Sequence, residues 1–183
     1  GRLAHRQNGR VGLCIATDHV ERFIPARPGK SQVIRLVQAL VTHRSIGTGT
    51  DLAAAFRFLC TRVRRRCSVV VLSDFDDPGF ARDLAHLRRR HETTAVRVTD
   101  PAEDSLPDVG PVFLEDPETG EQVLVDTSDP AFRRAYADAL AVADRRIEGA
   151  LRSCRVPEVR VSTEEPYDLP LRRLYAHPRY RGG

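Results

Sequence analysis

The chain has 183 residues, of which 41% are hydrophobic, and this is enough to bury the core of one domain of ordinary size. No run of about 18 apolar residues occurs, so the sequence predicts no membrane-spanning segment. The formal charge of +4 comes mainly from arginine, with short runs at 64–66 and 88–90. We interpret both runs as helix C-termini, where cations face the negative end of the helix dipole, and a phosphate-binding surface is the alternative.

The four cysteines are scattered and form no C-x-x-C pair, so the spacing typical of zinc ligands is absent. This pattern predicts free thiols in a reducing, cytoplasmic compartment, with Cys14 and Cys60 buried. The chain contains no methionine, and its first seven residues are polar and basic, unlike a signal peptide. We therefore expect that residue 1 is not the native N-terminus, and a membrane anchor upstream of it is left open.

Hydrophobic periodicity predicts an alternation of strands and helices along the chain. Strands are predicted at 11–16, 20–24, 68–72, 94–98, 112–115, 122–125 and 159–161. Helices are predicted at 31–41, 51–63, 80–90 and 130–153, the last with Asp129 as N-cap and Pro130 as its first residue. The β-branched run at 68–72 is typical of a strand buried on both faces of a parallel sheet.

The strand–helix–strand order over 68–98 is typical of crossover units, which build a doubly wound, mainly parallel sheet with flanking helices. The loop at 116–120 has the residues of a hairpin turn and predicts a small β-hairpin insertion. The sequence shows neither internal repeats nor a second domain. We therefore predict a single α/β domain over residues 1–183, in which 155–183 hold a short strand and an extended tail.

Two residues are candidate metal ligands. Asp74 follows the predicted strand at 68–72, and Thr50 lies in a glycine-containing loop directly before a predicted helix. Ligands of open α/β sheets bind outside the carboxyl ends of the strands, and a carboxylate with a hydroxyl suits Mg²⁺. The alternatives are structural: Thr50 as a helix N-cap, and Asp74, Asp76 and Asp77 as turn residues.

No pattern of residues predicts a catalytic nucleophile with its base. The six histidines form no pair on one helix face. A nucleophile elbow, a zinc-binding His-Glu-x-x-His and a phosphate-binding glycine loop are all missing from the sequence. The prediction from the sequence is therefore a protein that is not an enzyme.

Three stretches together resemble a known bacterial family. They are Asn8-Gly9-Arg10-Val11-Gly12-Leu13, Gly49-Thr50-Asp51-Leu52-Ala53-Ala54-Ala55 and Val69-Val70-Val71-Leu72-Ser73-Asp74-Phe75. They are similar to domain-of-unknown-function family 58, and the segments at 106–110, 114–120, 125–129 and 162–167 follow in the same order. The resemblance covers nearly the whole chain.

The resemblance implies a core like that of von Willebrand factor A domains and a metal-ion-dependent adhesion site. In such a site Thr50 matches the threonine of the second loop and Asp74 the aspartate of the third. The Asp-x-Ser-x-Ser motif of the first strand does not occur in this sequence. We expect it upstream, so that Mg²⁺ binding depends on it. A sheet without that central strand is expected to expose unpaired edges or to close around the gap.

The function implied by the resemblance is a non-enzymatic protein–protein interaction module. Family members accompany MoxR-type AAA+ ATPases in protein assembly or maturation, so such an ATPase is the expected partner. One alternative is a Mg²⁺-dependent phosphohydrolase, since Asp74-Phe75-Asp76 resembles the Asp-x-Asp of haloacid-dehalogenase-type enzymes. Here Asp77-Pro78 follows, which departs from that motif. The other alternative is a basic nucleic-acid-binding domain, but aromatic residues are only 6% of the chain and no reader motif occurs, so we expect no nucleic acid partner.

Overall fold

The computed structural model describes residues 9–47, 49–104, 107–115, 120, 122–166, 170 and 172. Its strands are β1 (Val11–Ala16), β2 (Val20–Arg27), β3 (Ser68–Ser73), β4 (Glu92–Thr99), β5 (Pro111–Glu115), β6 (Gln122–Asp126) and β7 (Glu158–Ser162). Its helices are α1 (Lys30–Val41), α2 (Leu52–Arg62), α3 (Ala81–Arg90), the short α4 (Pro101–Asp104) and α5 (Pro130–Ser153). Every strand and helix predicted from periodicity is confirmed, with ends that differ by a few residues.

The strands form three separate sheets within the described residues. β3, β4 and β7 form a parallel sheet in that order, with Ser68 opposite Glu92 and Ala95 opposite Glu158. β1 pairs with β2, and β5 pairs with β6, both antiparallel. The α/β class, the mainly parallel sheet with flanking helices and the small hairpin insertion are therefore confirmed.

One hydrophobic core joins three helices to the parallel sheet. Its buried side chains come from α2, α3, α5, β4, the β3–α3 loop and the α5–β7 connection, namely Phe56, Cys60, Phe75, Phe80, Leu84, Leu87, Ala95, Ile147, Leu151, Cys154 and Val156. Burying one leucine or phenylalanine side chain contributes about 1.5–3 kcal/mol, so this cluster is the main attachment of the helices. The first half of α5 lies outside the core, and its Ala135 and Ala139 are exposed.

The strand β3 is buried on one face only. Val69 and Val71 pack against the core, whereas Val70 is 36% and Leu72 is 68% exposed on the opposite face of the pleat. The prediction that this strand is buried on both faces is therefore wrong. A β-branched run indicates a strand, but which faces are covered depends on the neighbouring elements, and none of the described ones covers Leu72.

The hairpin of β1 and β2 and the parallel sheet pack on the same helix without pairing to each other. Phe23 of β2 contacts Phe58 of α2 edge to face, with ring centroids 5.2 Å apart, while Phe56 of α2 lies in the core beneath the parallel sheet. Within the described residues β1 pairs only with β2, and β3 only with β4. Unpaired strand edges, one of the two outcomes expected from the sequence, are therefore present.

Several smaller expectations are also settled. All four cysteines are free thiols; Cys60 is buried as predicted, and Cys14 is half-buried. In the parts of the chain that the structure describes, no helix is long and apolar enough to cross a membrane. The predicted final strand is β7, and the tail beyond residue 172 lies outside the described residues.

Candidate functional site at the carboxyl edge of the sheet

Three loops are joined by hydrogen bonds near the carboxyl end of β3. They are the β1–β2 turn, the loop that leads into α2, and the loop between β3 and α3. The backbone N–H of Asp51 donates to the carbonyl of Thr17 over 2.9 Å, which joins the first two loops. The N–H of Leu52 donates to Oδ2 of Asp77 over 2.8 Å, which joins the second and third. The sequence prediction that Thr50 and Asp74 belong to neighbouring loops is consistent with these contacts.

Asp51, and not Thr50, caps α2. The helix begins at Leu52, and Oδ1 of Asp51 accepts a hydrogen bond from the N–H of Ala54 over 2.6 Å. The interpretation of Thr50 as the N-cap is therefore wrong by one residue, and aspartate is also the stronger capping residue. Thr50 is exposed, and its hydroxyl makes no hydrogen bond to any residue that the structure describes. That hydroxyl is consequently available to a ligand.

Asp74 is exposed and forms a turn with one carboxylate oxygen. Its Oδ1 accepts from the hydroxyl of Ser73 over 3.1 Å and from the N–H of Asp76 over 3.3 Å. Asp77 uses both oxygens, one for Leu52 and the other for the N–H of Gly79 at 2.8 Å. The turn-forming interpretation is confirmed for Asp74 and Asp77. Oδ2 of Asp74 makes no hydrogen bond inside the described part of the chain.

Asp76, the second acid of the phosphohydrolase alternative, pairs with a helix. Its Oδ1 lies 2.8 Å from a guanidinium nitrogen of Arg146 in α5, and both side chains are largely exposed. This ion pair links the loop after β3 to α5. The catalytic roles of Asp74 and Asp76 in that alternative stay a prediction.

Phe75 determines the shape of the loop that carries these acids. Its φ of 64° lies in the left-handed region, which is uncommon for a residue with a large side chain. The side chain is fully buried and packs against Phe80, with ring centroids 5.5 Å apart. Burial of this ring holds the strained backbone in place and leaves the neighbouring carboxylates of Asp74 and Asp76 in solvent. Such strain is found more often at functional sites than elsewhere.

Glu21 anchors the loop before α2, and sequence reasoning missed it. Its side chain is only 2% exposed, and Oε1 accepts hydrogen bonds from the N–H groups of Ile46 and Gly47, each at 2.9 Å, and from the hydroxyl of Thr17 at 2.8 Å. The N–H of Gly47 is the largest influence that lowers the pKa of Glu21 to about 2. Only its position on the half-buried side of β2 could have signalled this role.

Gly47 lies so close to the β1–β2 turn that a side chain there would displace its neighbours. A Cβ placed on it would lie 2.2 Å from both Oδ1 of Asp18 and Oγ1 of Thr17. The absence of a side chain lets this loop approach the turn, and the bonds to Glu21 keep it there. The loop that carries Thr50 is thereby attached to β2 through Glu21.

Magnesium binding by Thr50 and Asp74 stays a prediction. Thr50 and Asp74 are oxygen donors of the type that Mg²⁺ binds in proteins. Among the described residues, no group of three or more histidine, cysteine, aspartate or glutamate side chains could hold a metal ion. The chemistry of the two donors fits the ion, but their number does not complete an octahedral site.

The fold and the site define an α/β protein whose candidate site is formed by loops at one edge of a mainly parallel sheet. A family model described as "Protein of unknown function DUF58" matches residues 1–146, and the chain belongs to this family.

Similar proteins are known from mycobacteria. The chain is 33% identical over 173 residues to the uncharacterized protein Rv1480 of Mycobacterium tuberculosis, and the match covers 93% of this chain and 54% of that protein. The chain thus spans about half the length of this relative. It is 34% identical over 147 residues to the uncharacterized protein MAV169 of Mycobacterium avium, a match that covers 79% of this chain and 86% of that protein.

Solved structures with low sequence identity share the fold. The conserved hypothetical protein BatB from Bacteroides thetaiotaomicron superimposes with a TM-score of 0.51 at 14% identity, over 93% of this chain and 81% of that one. An aerotolerance-related membrane protein from Bacteroides fragilis superimposes with a TM-score of 0.50 at 15% identity, over 88% and 79% of the two chains. At these identities the likeness concerns the fold alone.

Proposed function

We propose that this domain is a non-enzymatic protein–protein interaction module that binds its partner through the three joined loops. The observation that carries the proposal is the exposed Thr50 hydroxyl, which is released from helix capping because Asp51 takes that role. Asp74 supplies a second exposed oxygen donor on the loop that Asp77 ties to Leu52.

Thr50 and Asp74 act in this proposal as two ligands of Mg²⁺ in a von Willebrand factor A-like adhesion site. The ion keeps a coordination position for a carboxylate of the partner, because Mg²⁺ binds oxygen and exchanges its remaining waters. Magnesium binding is proposed only for a chain that also supplies an Asp-x-Ser-x-Ser segment, since two protein donors do not complete the site. The anchored loop before α2 supports the proposal, because a site held in its binding geometry loses less entropy on association.

The proposed partner is a MoxR-type AAA+ ATPase that acts in protein assembly or maturation in the cytoplasm. Family resemblance suggests this partner, and the loops suit it chemically. An exposed acidic side chain of the ATPase would complete the metal site, and the exposed strand edges nearby could pair with an extended segment. The free edge of β3, with Leu72 beside it, is the described strand edge closest in sequence to Asp74.

The test is a binding measurement between a purified MoxR-type ATPase of the same bacterium and the protein in its longest natural form. Biolayer interferometry without nucleotide compares Mg²⁺ with EDTA for the wild type, Thr50→Ala and Asp74→Asn. The matched controls are Thr61→Ala and Asp138→Asn, whose side chains are exposed and form no hydrogen bond with the described residues of the three loops. We expect at least about a tenfold loss of affinity for Asp74→Asn, which removes the charge of one direct ligand.

Two outcomes would contradict the proposal in different ways. If the ATPase binds equally well with EDTA and with both site variants, the loops are not the binding site. If the ATPase does not bind but calorimetry detects Mg²⁺ binding that Asp74→Asn abolishes, the metal site stands and the partner is wrong.

A further inference from the structure

Both arginine runs of the sequence lie at the edge of the sheet where the parallel strands begin. Three connections enter this edge, from α2 to β3, from α3 to β4 and from α5 to β7. Because β3, β4 and β7 are parallel, and Ser68 lies opposite Glu92, these connections lie side by side. This edge is opposite the carboxyl ends of the strands, where Asp74 lies.

The connection from α2 to β3 and the last turn of α3 each carry three consecutive arginines, and the end of α5 carries two more. We call the set the arginine edge. The first six are Arg64, Arg65, Arg66, Arg88, Arg89 and Arg90. Arg152 lies in the last turn of α5, and Arg155 follows the helix directly. All of them are exposed except Arg88, which is half-buried.

Contacts in the structure confirm that these arginines lie close together. Nε of Arg88 donates to the carbonyl of Arg155 over 3.2 Å, which joins the ends of α3 and α5. The N–H of Glu92 donates to the carbonyl of Cys67 over 2.9 Å, which joins the connections that precede β3 and β4. The three connections therefore form one continuous basic surface.

Within the described part of the protein, no ion pair neutralises the charge of the arginine edge. No carboxylate in that part lies within 4.0 Å of a guanidinium nitrogen of this set. Other arginines of the chain are paired: Arg97 and Arg160, for example, share Asp144. Uncompensated like charges repel each other, so such a surface favours binding of a polyanion.

The residues around the arginine edge favour an acidic polypeptide over a membrane surface or a nucleic acid. None of the exposed large hydrophobic side chains lies in the three connections, so nothing here would insert into a bilayer. The described connections also carry no aromatic residue on which a base could stack. The helices end here rather than begin, so they present carbonyl acceptors instead of the N–H donors that hold phosphates. A polypeptide brings both carboxylates for the guanidiniums and N–H donors for those carbonyls.

We propose that the arginine edge binds an acidic polypeptide segment, whose carboxylates pair with the guanidiniums of its three runs. Arginine suits this partner because its planar guanidinium binds a carboxylate through two parallel hydrogen bonds. The surface lies at the opposite end of the strands from the proposed metal site. It therefore stands or fails independently of the proposed function.

The experiment measures fluorescence anisotropy of a labelled oligoglutamate peptide titrated with the protein. Oligoglutamine of the same length and a DNA duplex of matched charge are titrated in parallel. The test variant replaces Arg64, Arg65 and Arg66 by serine. The control variant replaces three exposed arginines elsewhere, Arg22, Arg27 and Arg35, by serine, which changes the net charge by the same amount.

We expect oligoglutamate to bind, oligoglutamine not to bind, and added salt to weaken the complex because the ion pairs are exposed. The Arg64, Arg65 and Arg66 variant should lose about tenfold in affinity, the sum of three exposed ion pairs, and the control variant less than about threefold. If the first variant does not fold, Arg89→Ser with Arg90→Ser tests the same surface from another helix. Three results overturn the proposal: no binding of oligoglutamate, equal losses in both triple variants, or tighter binding of the duplex.

Discussion

The carboxylate of Glu21 and the imidazole of His43 are in direct contact, with Oε2 of Glu21 2.6 Å from Nε2 of His43. The other oxygen of the same carboxylate accepts from two backbone N–H groups at the far end of the loop that begins with His43. One buried side chain thus closes the base of this loop and holds it against β2. The segment 49–51, with Thr50, follows directly.

The stability of the protein should depend on the ionisation of Glu21. Its pKa is lowered from 4.5 to about 2 in the folded state. Between these values the unfolded chain binds more protons, so the free energy of unfolding rises with pH in this range. The contribution of Glu21 is complete above about pH 4.5 and is lost as the pH falls towards 2. Urea unfolding of the wild type and Glu21→Gln, followed from acid to neutral pH, measures it.

We expect the wild type to be more stable than Glu21→Gln at neutral pH and the difference to shrink below about pH 4.5. The difference in the free energy of unfolding between wild type and variant excludes the contributions of other carboxyl groups. One of these is Asp144, whose pKa the neighbouring Arg97 guanidinium also lowers. The control is Glu164→Gln, an exposed position. A difference that stays constant with pH, or equals that of the control, would mean that the carboxylate of Glu21 does not hold the loop.

Locally encoded features could be predicted from the sequence, and features that need distant partners could not. The predicted start of α5 is confirmed, because Asp129 and Pro130 are adjacent and each favours a helix start by itself. The anchoring role of Glu21 was missed because its backbone partners lie 25 and 26 residues further along the chain. No periodicity within β2 reports on a loop that arrives from beyond α1.

In the candidate site, too, the sequence predicts local features better than features that depend on neighbouring residues. The loops of Thr50 and Asp74 were located from strand and helix boundaries, but the capping residue was wrong by one position. Capping depends on which residue leaves the helical conformation first, and both Thr50 and Asp51 are good caps. Likewise, a run of β-branched residues predicted β3 but not the exposure of Leu72, which depends on the elements around it.

Two glycine-to-alanine changes should act in opposite directions. Gly47→Ala places a methyl group against Thr17 and Asp18, which must move and thereby disturb the bond from Thr17 to Glu21. We expect a loss of about 1–3 kcal/mol, as for other overpacked sites. Gly149→Ala lies within α5 with no atom near the new methyl group, and should gain about 0.5–1 kcal/mol from lower flexibility of the unfolded chain. Urea unfolding of both variants measures the two shifts, and the close approach of Gly47 is refuted if both proteins become more stable.

Arg155 ends α5 in a strained conformation that glycine would relieve. Its φ is 55°, the N–H of Val156 donates to the carbonyl of Leu151, and the N–H of Arg155 donates to that of Arg152, each over 3.0 Å. This is the Schellman arrangement, in which glycine is the preferred residue at the left-handed position. Arg155→Gly should therefore raise the free energy of unfolding by about 0.5–1 kcal/mol, since its carbonyl still accepts from Arg88.

The neighbouring Arg152 provides the matched control for that change. It is an exposed residue inside the last turn of α5, where glycine costs about 1 kcal/mol relative to a good helix former. Both substitutions remove one guanidinium from the same surface, so any effect of charge is common to them. Thermal unfolding that shifts in the same direction for both variants would show that the conformation at Arg155 is not strained.

Thr50 and Asp51 differ in role, and stability measurements should separate them. Asp51→Ala removes the acceptor for the N–H of Ala54 and should cost about 0.5–2 kcal/mol, the usual effect of losing an N-cap. Thr50→Ala removes a hydroxyl that bonds to no described residue, and its effect should stay within about 0.5 kcal/mol. Urea unfolding of the two variants tests this directly. If Thr50→Ala destabilises the protein as much as Asp51→Ala, the hydroxyl supports the helix and is not available as a ligand. If it leaves stability unchanged but weakens partner binding in Mg²⁺, Thr50 acts at the site and not in the fold.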